Sequence, residues 1–311
     1  MTSGARLAVL GSLNMDITVD VDHLPAPGET ILGGAARFAP GGKGANQAVA
    51  AARLLGTGTL AMAGCVGDDA FGAQLEAALR AEGIDTTGVR KLPGTASGVA
   101  MITVDATGEN VITVAPGANA QVGEQELTSA ITTRPDVLVI SAEIPLETIR
   151  AVLAKDTVGI TVLNLAPAPR QAESLIAEGV DWLVVNETEA ATVLGHPVDG
   201  LAEAAKAAAA LTALGPRNAV VTIGAAGAAM AGARGIEMVP GFSVHAVDSV
   251  GAGDTFVGAL AVALAAGIAP AEAVRAASAA GATAATRPGA QSGMPHPVDI
   301  EPVTGYRWPV G

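Results

Sequence analysis

The stretch DSVGAGDTFVGALAVALAAG (248–267) concentrates the most chemistry, because a glycine-flanked turn ends in Asp254 and opens directly into a long apolar helix. Successive N–H groups of Gly251, Ala252 and Gly253 at a helix N-terminus form a nest for an anion, and the helix dipole adds to its pull. A carboxylate inside an anion site needs a reason, and general-base chemistry on an alcohol beside a phosphate supplies one. Helix capping is the competing explanation, since Asp is common at such a place, and on the tripeptide alone it is the stronger.

Three further groups of residues have chemical content. In APGGKGANQAVAAARLLG (39–56), Gly41, Gly42 and Gly44 let backbone approach a ligand closely, and a helix follows with Asn46 on its first turn. Lys43 precedes Gly44 and not Ser or Thr, and the spacing GxxxxGK is missing, which disfavours a P-loop NTPase; a plain glycine turn before a helix is the ordinary alternative. In VVNETEAATVLG (184–195) an apolar run ends at Asn186 and a helix begins with Glu187 and Glu189. Such acids are ordinary capping and dipole choices, but at the carboxyl end of a strand they also suit a magnesium or phosphate neighbour. Asn14 and Asp16 after the first strand, and Glu143 after DVLVISA, are donors and acceptors of the kind a sugar needs, because each buried hydroxyl must be paired.

Other chemistries find no support. His23, His196, His245 and His296 lack metal-ligand spacing, and there is no GxSxG elbow. The single cysteine, Cys65, lies in the apolar run LAMAGCVG, excludes an internal disulfide and reads as buried and inert.

These groups need a frame, and the chain supplies a βα rhythm. Apolar runs at 7–12, 59–66, 136–143, 160–167, 180–186 and 219–224 alternate with helical stretches at 44–56, 70–83, 147–155, 187–195 and 203–215. Strands apolar on both faces and separated by helices imply an α/β protein with a mostly parallel central sheet flanked by helices in three layers. Two segments break the rhythm. Residues 15–38 alternate like strands around a Pro/Gly turn, and 98–115 read as a hairpin with DATGEN as its loop. Together they predict a small β-sheet lid of residues 14–38 and 96–117 over a core of 1–13, 39–95 and 118–311. The residues after Gly289 are Pro-rich and expected to be irregular.

Half of the 311 residues are hydrophobic and 15% are charged, so the chain can bury a sizeable core. The net charge of −13 repels nucleic acid and anionic membranes, and 2% aromatic content leaves few stacking platforms. The N-terminal apolar stretch is interrupted too early for a signal peptide, and the uncharged run 255–271 falls short of the roughly 20 residues of a spanning helix, so a cytoplasmic protein is expected.

The ordered set GSLNMD (11–16), PGGKGANQAVAAA (40–52), GDDAFG (67–72), GENVI (108–112), AEIP (142–145), NETE (186–189), TIGAAG (222–227), DSVGAGDTF (248–256) and ATRPGAQ (285–291) strongly resembles the ribokinase family of carbohydrate kinases, also called the phosphofructokinase B family. The resemblance runs from about Leu7 to Gln291 and implies the three-layer sandwich with a β-sheet lid. It implies ATP-dependent, in-line phosphorylation of a primary hydroxyl, here O5 of D-ribose, with Mg²⁺ accompanying the nucleotide. By matching positions, Asp254 is the base and Gly251, Ala252 and Gly253 form the anion hole. Asn14, Met15, Asp16, Gly42, Lys43, Gly44, Ala45, Asn46, Glu143 and Asp254 correspond to the sugar-binding set. Asn186, Glu189, Thr222, Ile223, Gly224, Ala225, Ala226, Gly227, Gly253, Asp254 and Ser278 correspond to the nucleotide set, with Glu189 acting on magnesium and phosphate.

The resemblance also implies a monovalent cation, usually K⁺, held by Asp248, Val250, Ala284, Arg287, Gly289 and Gly293, and a homodimer formed through the lid. Ser278 stands where relatives often have Asn or His, and Gly293 where Ser is common. The lid offers only Phe38, Met101, Ile102 and Ile112 as an apolar wall for a nucleobase and only Arg37 for a second phosphate, which favours a small free sugar. The alternatives are 2-deoxyribose, another sugar or a nucleoside as acceptor, or a catalytically silent sugar-binding protein on the same fold.

Overall fold

Runs that are apolar on both faces can be buried only inside a sheet covered on two sides, and the larger body of the chain has that arrangement. The computed structural model describes residues 4–155 and 159–310. The chain begins with β1 (Ala5–Leu10), β2 (Asn14–Asp20), β3 (Arg37–Gly41), α1 (Lys43–Leu54), β4 (Gly58–Gly67), α2 (Ala70–Ala81), β5 (Asp85–Leu92), β6 (Gly98–Val104) and β7 (Asn110–Ala115). It continues through α3 (Glu124–Thr132), β8 (Val137–Ser141), α4 (Leu146–Leu153), β9 (Ile160–Asn164), α5 (Ala172–Ile176), β10 (Trp182–Asn186), α6 (Glu187–Leu194) and α7 (Gly200–Ala213). It closes with β11 (Asn218–Ile223), β12 (Gly227–Gly232), β13 (Gly235–Pro240), α8 (Ala252–Ala265), α9 (Pro270–Ala284), α10 (Ala290–Gly293) and α11 (Pro297–Thr304).

The main sheet has nine strands in the order β13-β12-β11-β10-β9-β8-β1-β4-β5, parallel from β11 to β5 and antiparallel at the β12–β13 edge. Adjacent residues of β1 feed opposite layers, as the pleat requires. Val9 packs in the cluster that holds Val49 of α1, Leu260 of α8 and Ala277 of α9, whereas Leu10 joins Ile149 of α4 and Leu211 of α7. Where α8 crosses α1 there is no room for a side chain: a Cβ on Gly258 would lie 2.7 Å from the Gln47 carbonyl oxygen. That close crossing brings Asp254, one turn earlier on α8, over the start of α1.

A separate four-stranded sheet has the order β3-β2-β6-β7, with β2 parallel to β6 and both outer pairs antiparallel. It matches the expected lid, except that β3 continues past residue 38 to Gly41 and so joins the lid directly to α1. Three elements depart from the sequence reading. The edge strand β5 escapes it because DTTGVRKL is half polar, and the β12–β13 hairpin because GAAMAG carries no β-branched residue. The C-terminal segment is not irregular as expected: α10 and α11 form there, and α11 has Pro297 at its start, where a missing N–H costs nothing, with the His296 N–H donating to Asp299 at 2.8 Å.

Candidate active site

Five strand ends and three helix starts converge on one cleft. In a parallel sheet every strand's carboxyl end lies on the same side, and ligands bind there. The register sets neighbours side by side: Ser141 of β8 pairs with Asn164 of β9, and Asn186 of β10 with Thr222 of β11. Asn186 and Thr222, predicted from separate motifs, are thus direct cross-strand partners.

The loop before α1 folds onto the chain that leaves β1. A Cβ on Gly42, whose φ is +88°, would lie 2.6 Å from the Asn14 nitrogen, and one on Gly44 would lie 2.6 Å from the Ser12 nitrogen. The Ala45 N–H donates to the Ser12 carbonyl at 2.9 Å, and the Ala45 side chain is core. Ser12 Oγ donates to Glu143 Oε2 at 2.6 Å, and the Lys43 N–H donates to the same oxygen at 3.1 Å. One oxygen of Glu143 is thereby fixed, and the other has no hydrogen-bond partner among the described residues.

On the lid, alternation along β2 turns Asn14 and Asp16 to one face and Met15 to the other. Met15 is 1% exposed and packs in the core, so of the predicted sugar residues it reaches the cleft with backbone alone. The Leu13 N–H donates to Asn119 Oδ1 at 2.9 Å, which forces Asn119 Nδ2 to be the donor to Asn14 Oδ1 at 2.8 Å. Asn14 therefore presents its NH₂ to the cleft. The Asp16 carboxyl lies over Gly41, where any Cβ would collide with it. Burial, then the charges of Glu143 and Asp254, push the Asp16 pKa up to about 7 against the pull of Lys43. Phe38 and Met101, cross-strand neighbours of Ile17, stand on the face opposite Asp16, with Phe38 against Phe71 of α2 at 6.2 Å between ring centres. They build no wall for a nucleobase beside the sugar residues.

Asp254 does not cap its helix. The N-cap is Gly251, held at φ +77°, and the Asp254 carboxylate accepts from Asn46 Nδ2 and Gln47 Nε2, each at 3.0 Å. Among the described residues the N–H groups of Gly251 and Gly253 find no acceptor, while that of Ala252 donates to the Ser249 carbonyl at 3.2 Å. Open amides at the head of a 14-residue helix are suited to an anion. Lys43 lies among the acids: the charge of Asp254 foremost, then Glu143, Glu189 and Asp16, raise its pKa against burial.

Asn186 and Glu189 form a capping box, with the Glu189 N–H donating to Asn186 Oδ1 and the Asn186 N–H to Glu189 Oε2, both at 2.9 Å. The ordinary explanation thus holds for Glu189, yet its carboxyl also lies within the field of Lys43 and Asp254, and burial raises its pKa. Thr222 and Ile223 end β11, Gly224, Ala225 and Ala226 form an exposed single turn, and Gly227 opens β12. The Ser278 hydroxyl donates back to the Val274 carbonyl at 2.9 Å, along its own helix.

Beside the anion site, the Asp248 carboxylate accepts from the N–H groups of Val250 at 2.9 Å and Gly289 at 2.8 Å. The carbonyl oxygens of Ala284 and Arg287 converge on Gly293, 3.3 and 3.2 Å from where its Cβ would be. A carboxylate with converging carbonyls is an oxygen donor set that fits a monovalent cation, and glycine at 293 leaves the carbonyls undisturbed. Among the described residues no group of three or more His, Cys, Asp and Glu is gathered as a metal site.

Sequence reasoning left several contributors unassigned. Ser12 and Gln47 lie inside quoted motifs, and Asn164 is a polar residue at a strand's carboxyl end, so a signal existed for each. Asn119 has none, because it enters from a short 3₁₀ turn, Gly117–Gln121.

Comparison with known proteins agrees with this geometry. The profile of the pfkB family carbohydrate kinase matches residues 5–297. A ribokinase of Haemophilus influenzae is 38% identical over 93% of this chain and 95% of its own length. A deoxyribokinase of Salmonella typhi is 39% identical over 82% of this chain and 84% of its own length. The structure of an Arabidopsis thaliana ribokinase complexed with ribose and ATP superposes with a TM-score of 0.85 at 28% identity, covering 97% of this chain and 99% of that one.

Proposed function

We propose, because the chain belongs to the pfkB family of carbohydrate kinases, that it transfers the γ-phosphoryl group of ATP to O5 of D-ribose, giving ribose 5-phosphate. The observation that carries this reading is the meeting, at one helix start, of a carboxylate gripped by α1 with open amides that face an anion. Asp254 takes the hydroxyl proton as O5 attacks the γ-phosphorus and the bond from that phosphorus to the β,γ-bridging oxygen breaks, releasing ADP, while the Gly251 and Gly253 amides, with Ala252 beside them, hold the transferring oxygens. Lys43 offsets charge building on the phosphoryl group.

The sugar is held by Asn14, Asp16, Gly42, Asn46 and Glu143. The Asn14 NH₂ and the Asp16 carboxyl, two residues apart on one strand face, suit neighbouring hydroxyls, one accepting and one donating. ATP lies along Asn186, Glu189 and the turn Thr222–Gly227, with its base toward Ser278. Mg²⁺, arriving on its phosphates, would lie near Glu189 and would offset their charge. K⁺ fits among Asp248, Val250, Ala284, Arg287, Gly289 and Gly293, where it would strengthen the field of the anion hole.

The sheet of 14–38 and 96–117 acts as the lid, and its outer strand leaves Val111, Ile112 and Val114 exposed, which supports a second copy of the lid as their cover. ATP as substrate supports a cytoplasmic site of action, and among the described residues no helix is long and apolar enough to cross a membrane.

A second reading, 2-deoxyribose as acceptor, is favoured by the deoxyribokinase likeness. ATP consumption with Mg²⁺ over ribose, 2-deoxyribose, fructose, fructose 6-phosphate and adenosine, with and without K⁺, separates the readings. Ribose preference stimulated by K⁺ is expected; preference for another acceptor overturns the pocket reading, and no turnover with any acceptor supports a silent binder.

A further inference from the structure

Gln47 neither lines the cleft opening nor belongs to the sugar set, yet it is wholly buried against the reacting carboxylate. Its amide orientation is forced. The Asp254 carboxylate only accepts, and Asn164 Oδ1, 2.9 Å from Gln47 Nε2, is an acceptor because Asn164 Nδ2 donates to the Val184 carbonyl at 3.3 Å. The two hydrogens of Gln47 Nε2 therefore go one to Asp254 and one to Asn164. Turning the amide over would set Gln47 Oε1 against two acceptors.

In the forced orientation Oε1 is buried and, among the described residues, without a partner. An unpaired buried acceptor is costly, and an apolar side chain of similar length would avoid that cost. What distinguishes glutamine here is its pair of donors, aimed along a chain from the backbone of β10 through Asn164 to Asp254. Asn46 holds the other carboxylate oxygen and is itself braced by Gln291 Nε2 at 3.1 Å.

We infer that Gln47, braced by Asn164, is a positioning residue for phosphoryl transfer: it fixes the plane of the Asp254 carboxylate so that a lone pair stays turned toward the acceptor hydroxyl. This rests on Asp254 serving as the base. Small misplacement of a reacting group is costly, about 10²-fold for an error of about 1 Å.

The test is Gln47→Met, which keeps length and apolar volume and removes both donors. The single-turnover rate of phosphoryl transfer should fall about 10- to 100-fold, while the KM values for ribose and ATP and the calorimetric affinity for ribose stay close to those of the unaltered protein. In an Asp254→Asn background the same substitution should leave the residual rate unchanged, because a residue that acts through Asp254 has nothing left to act on. A merely structural role would lower the melting temperature in both backgrounds and leave the ratio of kcat to KM intact. Transfer by Gln47→Met at the original rate, or equal slowing in both backgrounds, overturns the inference. Failure of the base assignment reads differently, as turnover that persists in Asp254→Asn alone. If Gln47→Met does not fold, Gln47→Glu keeps the shape and sets a second carboxylate against Asp254; it should lose rate at least as strongly, and full activity overturns the inference.

Discussion

The two walls of the cleft are built on different principles. On the core side, Asp254, Asn46, Gln47, Asn164 and Gln291 form a connected amide and carboxylate network between α1, α8, α10 and β9. On the lid side, Asp16 makes no hydrogen bond to another side chain among the described residues and is kept in place by burial over Gly41. β7 beyond it is exposed along its whole length. Under the proposed function, chemistry that needs a fixed lone pair would sit where backbone and packing over-determine it, and part of the recognition where a ligand must still complete the hydrogen bonding. An unfilled polar wall favours sugar binding, because the sugar supplies partners that the free protein lacks.

The sharpest way to break this division is at its centre. Asp254→Asn should lower kcat by about 10²–10⁴-fold, the usual worth of a positioned base, and leave ribose affinity by calorimetry nearly unchanged. Comparable loss of affinity would mean that Asp254 carries recognition as well as chemistry. Asp16→Asn should do the reverse. It removes a charged acceptor worth about 1.5–3 kcal/mol, so ribose KM should rise roughly 10- to 100-fold with a smaller change in kcat. A kcat loss as large as that of Asp254→Asn would merge the two walls. Gly258→Ala tests what seats the core wall. A Cβ 2.7 Å from the Gln47 carbonyl oxygen must push α8 from α1, at a cost of about 1–3 kcal/mol. The melting temperature and kcat should fall together while ribose affinity holds.

The same division explains what could be read in the sequence. The core wall was legible because glycine turns, helix starts and apolar runs are local signals, and the GGKGAN loop, the NETE start and Asp254 lie where those signals put them. Illegible were the contacts that depend on distant chain segments: Asn119 reaching Asn14 from a 3₁₀ turn 105 positions away, and Gln47 choosing Asn164 across 117 positions. Local spacing equally could not tell a capping Asp from one engaged with another helix. Only the packing of α8 on α1 turns the Asp254 side chain away from its own helix. On the lid, Phe38 and Met101 could be listed from the sequence as a possible apolar wall, but only the pairing register puts them on the face opposite Asp16.

The smallest expected effect is a pH signature to which the lid wall contributes through Asp16. Asp69 and Asp299 have pKa values lowered below the ordinary 3.8, Asp69 by N–H groups of Ser97 and Gly72 that outweigh its burial, Asp299 chiefly by Arg287; each adds stability that is lost as pH falls below about 4. Asp16 has the opposite sign. Its pKa is raised from 3.8 to about 7, so between those values the folded protein holds a proton that the unfolded chain has released, and stability falls as pH rises through that window. Below about pH 4 both states are protonated and above about pH 7 the penalty is complete. Glu189, whose pKa burial also raises, contributes in the same direction, so the comparison must be with Asp16→Asn. Melting temperatures from pH 4.5 to 8 should show the free protein losing stability relative to Asp16→Asn as pH rises. Saturating ribose should flatten that difference, because sugar hydroxyls donating to Asp16 favour its charged form. A difference that is flat without ribose, or that steepens with it, would mean that the lid carboxyl is already satisfied and that recognition lies elsewhere.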